Sequence, residues 1–176
     1  MKMSPAGRDV RTKKYKTCIP GGKPLPEITM STLNIVCPHC QSVNPVANEV
    51  AREEVACSAC GGSLLDTAPL ECDDARFKTQ VTENDIPVLA DFYSPDCAPC
   101  MGMAPAYAEA AASFALEVRF LKINVLEYPD LARDYGVNML PTIVAFRNGR
   151  EVNRFSSALS KDQLKMWGES LIQMVI

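Results

Sequence analysis

The chain has 176 residues, of which 47% are apolar and 22% are charged, and its net charge is −3 at pH 7. This length allows one ordinary domain and a small additional module, because a hydrophobic core is usually built from about 100–150 residues. No stretch approaches the ~18 apolar residues that a membrane span needs, and the N-terminal region has positive charges without the apolar segment of a secretory signal. We therefore expect a cytoplasmic protein that does not bind membranes.

Residues 1–29 carry seven lysines and arginines against two acidic residues. The Pro/Gly-rich cluster at 20–26 interrupts any regular element and offers little apolar surface to bury. Basic segments can bind nucleic acid, but this one has no interleaved aromatic residues and no amphipathic period. We predict a disordered basic extension over 1–29 and no nucleic-acid partner.

Six of the eight cysteines form three Cys-x-x-Cys pairs, which leaves Cys18 and Cys72 over. In a cytosolic protein such pairs indicate metal or redox sites and not a secreted disulfide framework. We interpret Cys72 as a small buried apolar residue.

The first two pairs are separated by sixteen residues. This spacing is typical of a zinc ribbon, because each pair makes a tight turn and two turns complete a tetrahedral thiolate site. So short a segment buries little apolar surface, so we predict a module over 30–65 stabilised by one zinc ion. The alternatives are two reactive dithiols or unpaired buried cysteines, and His39 is interpreted as a solvated turn residue. The predicted ligands are Cys37, Cys40, Cys57 and Cys60.

Residues 66–176 alternate between apolar runs of strand length and helical patterns, which predicts an α/β domain with a central sheet of mixed direction. Asn148-Gly149 is a strong hairpin signal, so the strand after it should return antiparallel. The predicted strands are 69–72, 87–93, 118–125, 143–146 and 151–155, and the predicted helices are 73–84, 101–116, 128–135 and a last one that opens at 160.

The third cysteine pair, Cys97-Ala98-Pro99-Cys100, follows the apolar run 87–93 and precedes an Ala-rich helical segment. Two cysteines at this spacing can close a disulfide across one helical turn, and a helix N-terminus stabilises the thiolate of the first. The pattern predicts a redox site beyond the carboxyl end of a central strand.

Over about 69–176 the sequence resembles the thioredoxin family. With the four-cysteine module in front, it is similar to the bacterial members that have two parts. The matching features are Asp91 six residues before the first cysteine, the Cys97/Cys100 pair, Pro105 five residues after the second cysteine, Lys122 in the next strand, the segment Leu140-Pro141-Thr142 and the hairpin Asn148-Gly149.

The resemblance implies a thioredoxin fold and the reduction of protein disulfides. Cys97 would attack the substrate disulfide, and Cys100 would then release the reduced substrate. Asp91 would serve as the base for Cys100, with its pKa raised by burial and moderated by Lys122; the alternative is a buried ion pair without catalytic use. The remaining implied contacts are a cis Pro141 facing the sulfurs and substrate-binding positions at Asp96, Ala98, Pro99 and Leu140.

The implied partners are protein disulfides and a flavin reductase that uses NADPH. We expect a monomer without a bound organic cofactor. Two alternatives stay open: a binding or chaperone-like scaffold with little redox turnover, and an oxidase or isomerase, which would ordinarily work outside the cytosol. The zinc module could also regulate activity, because its thiolates can be oxidised.

Three positions depart from the family pattern. Asp96 replaces the usual tryptophan, Ala98 the usual glycine, and Ser157 a glycine that borders the substrate groove. These changes affect the partner surface and the redox potential. We predict that the negative charge of Asp96 raises the pKa of Cys97 and stabilises the oxidised form.

Overall fold

The computed structural model describes residues 32–47 and 55–174, so the predicted basic extension and Cys18 lie outside the described residues. Within these ranges, no helix is long and apolar enough to cross a bilayer. The strands are β1 (Thr32–Val36), β2 (Val43–Ala47), β3 (Leu70–Glu71), β4 (Val88–Tyr93), β5 (Arg119–Asn124), β6 (Thr142–Arg147) and β7 (Arg150–Phe155). The helices are α1 (Asp74–Glu83), α2 (Ala98–Ala111), α3 (Pro129–Asp134) and α4 (Lys161–Gln173).

A five-stranded sheet forms the centre of the molecule, in the order β3-β5-β4-β6-β7. Strands β3, β5 and β4 run parallel, whereas β6 is antiparallel to β4 and β7 is antiparallel to β6. Helices cover both faces of this sheet, because apolar residues of α1 and α3 share one core and those of α2 and α4 share the other. The predicted α/β class and mixed sheet are confirmed.

Alternation along β4 assigns its side chains to the two cores. Leu89 packs with α2 and α4, while Ala90 and Phe92 pack with α1 and α3. Tyr107 of α2 is fully buried, and its hydroxyl donates to the carbonyls of Leu89 (2.9 Å) and Leu121 (3.0 Å). These two bonds fix α2 across the two central strands.

Local signals in the sequence account for several element ends. The Asp73 carboxylate accepts a hydrogen bond from the Arg76 amide and caps α1, and Ser160 opens α4 with a complete capping box. Asn148 and Gly149 both have positive φ, 51° and 75°, as a two-residue hairpin turn requires. These elements begin and turn where the sequence predicted.

The C-terminal end of α2 was predicted wrongly. The helix ends at Ala111 and does not continue to Leu116. The amides of Ser113 and Phe114 bond to carbonyls three residues back, and Leu116 has a φ of 57°. Phe114 turns into the core, where its ring stacks on Phe120 with centroids 5.9 Å apart. Burial of this ring therefore accounts for the early end.

Strands β1 and β2 form an antiparallel hairpin that the sequence did not predict. The hairpin is attached to the segment after α1 through three hydrogen bonds. The Asn34 amide donates to the Asp85 carboxylate (2.6 Å), the Asp85 amide donates to the Asn34 carbonyl (2.9 Å), and the Val36 amide donates to the Asn84 side-chain oxygen (2.7 Å). The cysteine-bearing module is thus docked on the larger domain.

Candidate redox site and metal centre

The Cys97–Cys100 disulfide lies at the N-terminus of α2. Cys97 is the N-cap residue, and its sulfur accepts a hydrogen bond from the Cys100 amide (3.2 Å). Pro99 lies in the first turn, where a missing amide proton costs nothing. Cys97 is half-buried, whereas Cys100 is only 2% exposed. Cys97 is therefore the sulfur that another molecule can reach, and the helix N-terminus favours its thiolate.

The segment before β6 lies at the same edge of the sheet as the disulfide. β6 is antiparallel to β4, and Thr142 is paired with Phe92 near the end of β4. The peptide bond between Leu140 and Pro141 is cis, as the resemblance implied. Thr142 fixes this segment, because its hydroxyl donates to the Met139 carbonyl (2.8 Å).

Asp91 is a buried acid in the middle of β4, with 1% of its surface exposed. It lies on the same face of the strand as Leu89, the face covered by α2 and α4. Burial raises the pKa of its carboxyl to about 7, although the Lys122 ammonium lowers the pKa and the Glu71 carboxylate raises it. A carboxyl with this pKa can exchange protons near neutral pH.

Lys122 is paired in register with Asp91 but does not bind it in the structure. Its ammonium contacts the Glu71 carboxylate at 2.6 Å and lies 4.1 Å from the centroid of the Tyr93 ring. The alternative of a buried Asp91–Lys122 ion pair is therefore not what the structure shows, because Lys122 is paired with Glu71. The sequence pattern predicts a strand at Glu71 but contains no information on which strand it borders.

The predicted substrate-binding positions differ in their exposure. Asp96, Ala98 and Pro99 are exposed, and Leu140 is half-buried. Sequence reasoning missed two exposed methionines next to these positions, because no periodicity marks them. They are Met101, which directly follows Cys100, and Met139, which directly precedes Leu140; they are 51% and 62% exposed.

Four sulfur atoms cluster in the module formed by 32–47 and 55–65. All of them lie within 4.8 Å of one another, with 3.8 Å between those of Cys37 and Cys60 and 3.6 Å between those of Cys40 and Cys57. A tetrahedral zinc site with Zn–S bonds of about 2.3 Å places its sulfurs about 3.8 Å apart. The donor set and its spacing therefore fit one metal ion.

The two halves of this cluster have the same backbone. The amide of each first cysteine donates to the carbonyl five residues later, from Cys37 to Ser42 and from Cys57 to Gly62. The residue after each second cysteine has positive φ, 64° at Gln41 and 71° at Gly61. Each half is thus a tight turn that directs its sulfurs towards the other half.

Ser42, His39 and Cys72 do not belong to the group of four cysteines. The Ser42 hydroxyl hydrogen-bonds to the Cys57 sulfur (3.1 Å) and, with the Cys60 and Ala59 amides and Asn44, lowers the pKa of that thiol to about 5. His39 lies outside the group of four sulfurs and faces Asp66, with 3.8 Å between Nε2 and the carboxylate. Cys72 is buried in the larger domain, and burial raises the pKa of its thiol to about 12.

Comparison with known proteins identifies the larger domain. The family model described as "Thioredoxin" matches residues 68–170, which is more than half of the chain. The chain belongs to the thioredoxin family. Members of this family are thiol–disulfide oxidoreductases, and the Cys97–Cys100 disulfide is the redox-active pair of this one.

Individual thioredoxins match different extents of the chain. It is 40% identical over 91 residues to thioredoxin 1 of Synechococcus elongatus, a match that covers 52% of this chain and 85% of that protein. It is 33% identical over 139 residues to thioredoxin C-3 of Corynebacterium nephridii, covering 79% of this chain and 95% of that protein. The second match is longer than the range 68–170, so it extends beyond the thioredoxin domain.

The fold agrees with that of solved thioredoxins. A mutant thioredoxin from Halobacterium salinarum NRC-1 has a TM-score of 0.57 and 32% sequence identity, over 62% of this chain and 96% of that chain. The predicted thioredoxin fold is confirmed, and the cluster of four cysteines precedes it as expected.

Proposed function

We propose that this protein is a cytoplasmic protein-disulfide reductase of the thioredoxin 2 type, in which a zinc module precedes the thioredoxin domain. The observation that carries the proposal is the pairing of a reachable sulfur with a buried one at a helix N-terminus, with a buried acid on the adjacent strand. Cys97 is half-buried, and Cys100 and Asp91 are 2% and 1% exposed.

Reduction proceeds in two exchanges. In the reduced protein, the Cys97 thiolate attacks one sulfur of the substrate disulfide, and the other substrate sulfur leaves with the bond electrons and takes a proton. Cys100 then gives its proton to the Asp91 carboxylate and attacks the Cys97 sulfur. The bond between Cys97 and the substrate breaks, the second substrate thiolate leaves, and the disulfide seen in the structure is formed.

The exposed residues around the pair define the substrate surface. Asp96, Ala98 and Pro99 border the sulfurs on one side, and the Leu140–Pro141 segment lies at the same edge of the sheet. Leu140 and Pro141 lie just before β6 begins at Thr142, outside the pairing with β4, so the backbone there is available to bind an extended substrate segment. A substrate in this position is a protein disulfide with an accessible strand-like segment.

The metal centre has a structural part in this proposal. Cys37, Cys40, Cys57 and Cys60 would hold one zinc ion, which supplies a redox-inert cross-link between the two turns. The pair of turns buries few apolar residues, Leu64 being one of them, so the cross-link carries much of the stability of the module.

The remaining partners follow from the proposed direction of the reaction. Each cycle leaves the protein oxidised, so two electrons must return to Cys97 and Cys100. We propose a flavin-containing thioredoxin reductase that uses NADPH as the donor. The protein would act as a monomer in the cytoplasm.

Insulin reduction tests the proposal. The protein with thioredoxin reductase and NADPH should precipitate insulin faster than dithiothreitol alone does. Cys100→Ser should instead accumulate a mixed disulfide on Cys97 that dithiothreitol releases. A rate no higher than that of dithiothreitol alone would contradict the reductase and favour a binding scaffold with little redox turnover.

A further inference from the structure

Three charged residues form one row across the sheet. Glu71 of β3 is paired with Lys122 of β5, and Lys122 is paired with Asp91 of β4. Residues paired in this way project from the same face of a sheet. Lys122 therefore lies between two carboxylates, and its ammonium can form an ion pair with either of them.

In the structure, Lys122 is paired with Glu71, the more exposed of the two carboxylates. The Lys122 ammonium lies 2.6 Å from Oε1 of Glu71, and Oδ1 of Asp91 is buried without a hydrogen-bond partner in the described part of the chain. Tyr93 holds this arrangement in place, because its hydroxyl donates to both Glu71 oxygens at 3.2 Å and its ring lies under the ammonium, 4.1 Å from Nζ. Glu71 is thus anchored by two independent contacts.

Among the described residues, including those of α2 and α4, Lys122 is the one cation that shifts the pKa of Asp91. Tyr107 of α2 interacts electrostatically with Asp91, and its hydroxyl is engaged by the Leu89 and Leu121 carbonyls. Cys97 and Cys100 at the start of α2 are joined as a disulfide. On β6, the residue paired with Asp91 is Ile143. The position of Lys122 is therefore what decides whether Asp91 is ion-paired.

We propose that Glu71 is a positioning residue for thiol–disulfide exchange: by binding the Lys122 ammonium, it keeps the Asp91 carboxylate free to take the proton of Cys100. The proposal rests on the proposed function. A carboxylate paired with a lysine is a weaker base, because the cation stabilises its charged form. With Glu71 in place, Asp91 accepts the Cys100 proton as the Cys100 sulfur attacks Cys97, and it returns the proton to solvent after the substrate thiolate leaves.

A titration of Asp91 in the oxidised protein tests this directly, because the disulfide removes the two thiols that would titrate beside it. The pH midpoint is read from the carboxyl carbon shift of Asp91 by NMR. Glu71→Gln keeps the shape of a side chain that is 57% exposed, so the fold should be retained. We expect this variant to lower the midpoint by about one pH unit, because Lys122 is released towards Asp91.

The lysine variant separates positioning from direct repulsion. Lys122→Met should raise the midpoint of Asp91. In the Lys122→Met background, Glu71→Gln should shift this midpoint by less than half of the shift that Glu71→Gln causes in the protein with Lys122. The matched control is Glu127→Gln, which removes an exposed carboxylate bonded to Asn124 and not to Lys122, and it should leave the midpoint unchanged. An unchanged midpoint in Glu71→Gln would overturn the proposal, and so would a shift of half or more in the Lys122→Met background.

A second readout connects the titration to turnover. The acid limb of the pH profile for insulin reduction should move downward in Glu71→Gln by the same amount as the Asp91 midpoint. A limb that stays in place while the midpoint moves would overturn the part assigned to Glu71 in the exchange. If the unaltered protein failed to reduce insulin, the proposed function would be wrong. The Asp91 midpoints would still show whether Glu71 controls the position of Lys122, so the two failures are distinguishable.

Discussion

The redox pair and the two candidate metal-binding pairs have the same Cys-x-x-Cys spacing and different backbones. Cys97 is the N-cap of α2, and its sulfur is bonded to Cys100 within the same helical turn. In the metal-binding turns, positive φ at Gln41 and Gly61 reverses the chain directly after the second cysteine. The redox sulfurs therefore face each other, whereas the sulfurs of each metal-binding turn face the other turn.

This difference shows that the residues after the pair decide its chemistry. Met101 and the Ala-rich segment behind it continue a helix, which aligns the amides that stabilise a thiolate. Gly61 adopts the left-handed conformation at little cost, and a Cβ at Gly62 would come 2.6 Å from the His39 ring, which would have to move. The two pair types therefore share their spacing and differ in the backbone that follows the second cysteine, which is a helix in the redox pair and a reversed turn in the other two.

The largest expected effects come from removing one sulfur from each kind of pair. Cys97→Ser should reduce insulin reduction to background and keep the metal, because the attacking sulfur is lost and the four ligands are not. Cys57→Ser should lose the metal, because it removes one of the four thiolate ligands, and it should keep insulin reduction within about twofold. Metal content by atomic absorption and insulin precipitation measure the two properties on the same samples.

Cys72→Ala is the matched control for this pair of variants. It removes a cysteine that belongs to neither site, so both properties should persist. If Cys57→Ser lost its reductase activity while its thioredoxin domain stayed folded, the two sites would not be independent. That outcome would favour a regulatory part for the metal.

The next largest effect concerns the pH dependence of stability. The pKa of Asp91 is about 7 in the folded protein against 3.8 without the fold. Between these values the unfolded chain loses a proton that the folded protein keeps, so the free energy of unfolding falls as pH rises from about 4 to about 7 and stays low above that. At 1.36 kcal/mol per pKa unit, the loss amounts to about 4 kcal/mol.

Asp91→Asn should remove this loss. The variant should match the unaltered protein near pH 3 and unfold at a higher urea concentration near pH 8. Asp130→Asn, which alters a side chain that is 72% exposed, is the control and should keep the fall in stability. Equal stability of Asp91→Asn and the unaltered protein at pH 8 would mean that ionised Asp91 is not destabilising.

A smaller effect is expected at the contact between the two regions. The Arg119 guanidinium is buried and donates to the Asp66 carbonyl (2.9 Å) and the Val36 carbonyl (3.4 Å), the latter directly before Cys37. Arg119→Met leaves these carbonyls without their donor, which should lower the free energy of unfolding by about 2–3 kcal/mol. Zinc should also leave faster in the presence of a chelator, because the module is held less firmly.

The control for Arg119 is Arg133→Met. Arg133 is 73% exposed and paired with Asp130 on the surface, so its loss should cost at most about 0.5 kcal/mol. Urea unfolding and the rate of zinc transfer to a chelator report the two quantities. Unchanged zinc transfer in Arg119→Met would show that the contact stabilises the domain without holding the module.

The parts that the sequence predicted are those in which the chemistry is local. The two turns that carry the clustered cysteines, the Asn148-Gly149 turn and the Ser160 cap each depend on residues a few positions apart. The fold followed from strand and helix patterns together with the family resemblance.

The parts that the sequence did not predict depend on neighbours that are distant along the chain. Glu71 became the partner of Lys122 because β3 borders β5, 51 positions away, and a pattern within one strand contains no information about that register. The end of α2 depends on the packing of the Phe114 ring against Phe120 in the next strand. The hairpin before the domain was missed because polar and apolar residues do not alternate through Val43–Ala47.

The smallest expected effect belongs to Asp96, the residue before the redox pair. Its side chain is exposed, so water screens its charge, and we expect Asp96→Asn to lower the pH midpoint of Cys97 thiolate formation by less than about one unit. The thiolate would then form more readily, and the equilibrium with glutathione would shift towards the reduced protein. Thiolate absorbance at 240 nm and equilibration with glutathione measure the two changes, and both should shrink at high salt.

Asp130→Asn, far along the chain on α3, serves as the charge-matched control. If both measurements were the same in Asp96→Asn and the unaltered protein, the charge beside Cys97 would have no part in setting its redox potential, and the helix N-terminus alone would distinguish this pair from the metal-binding turns.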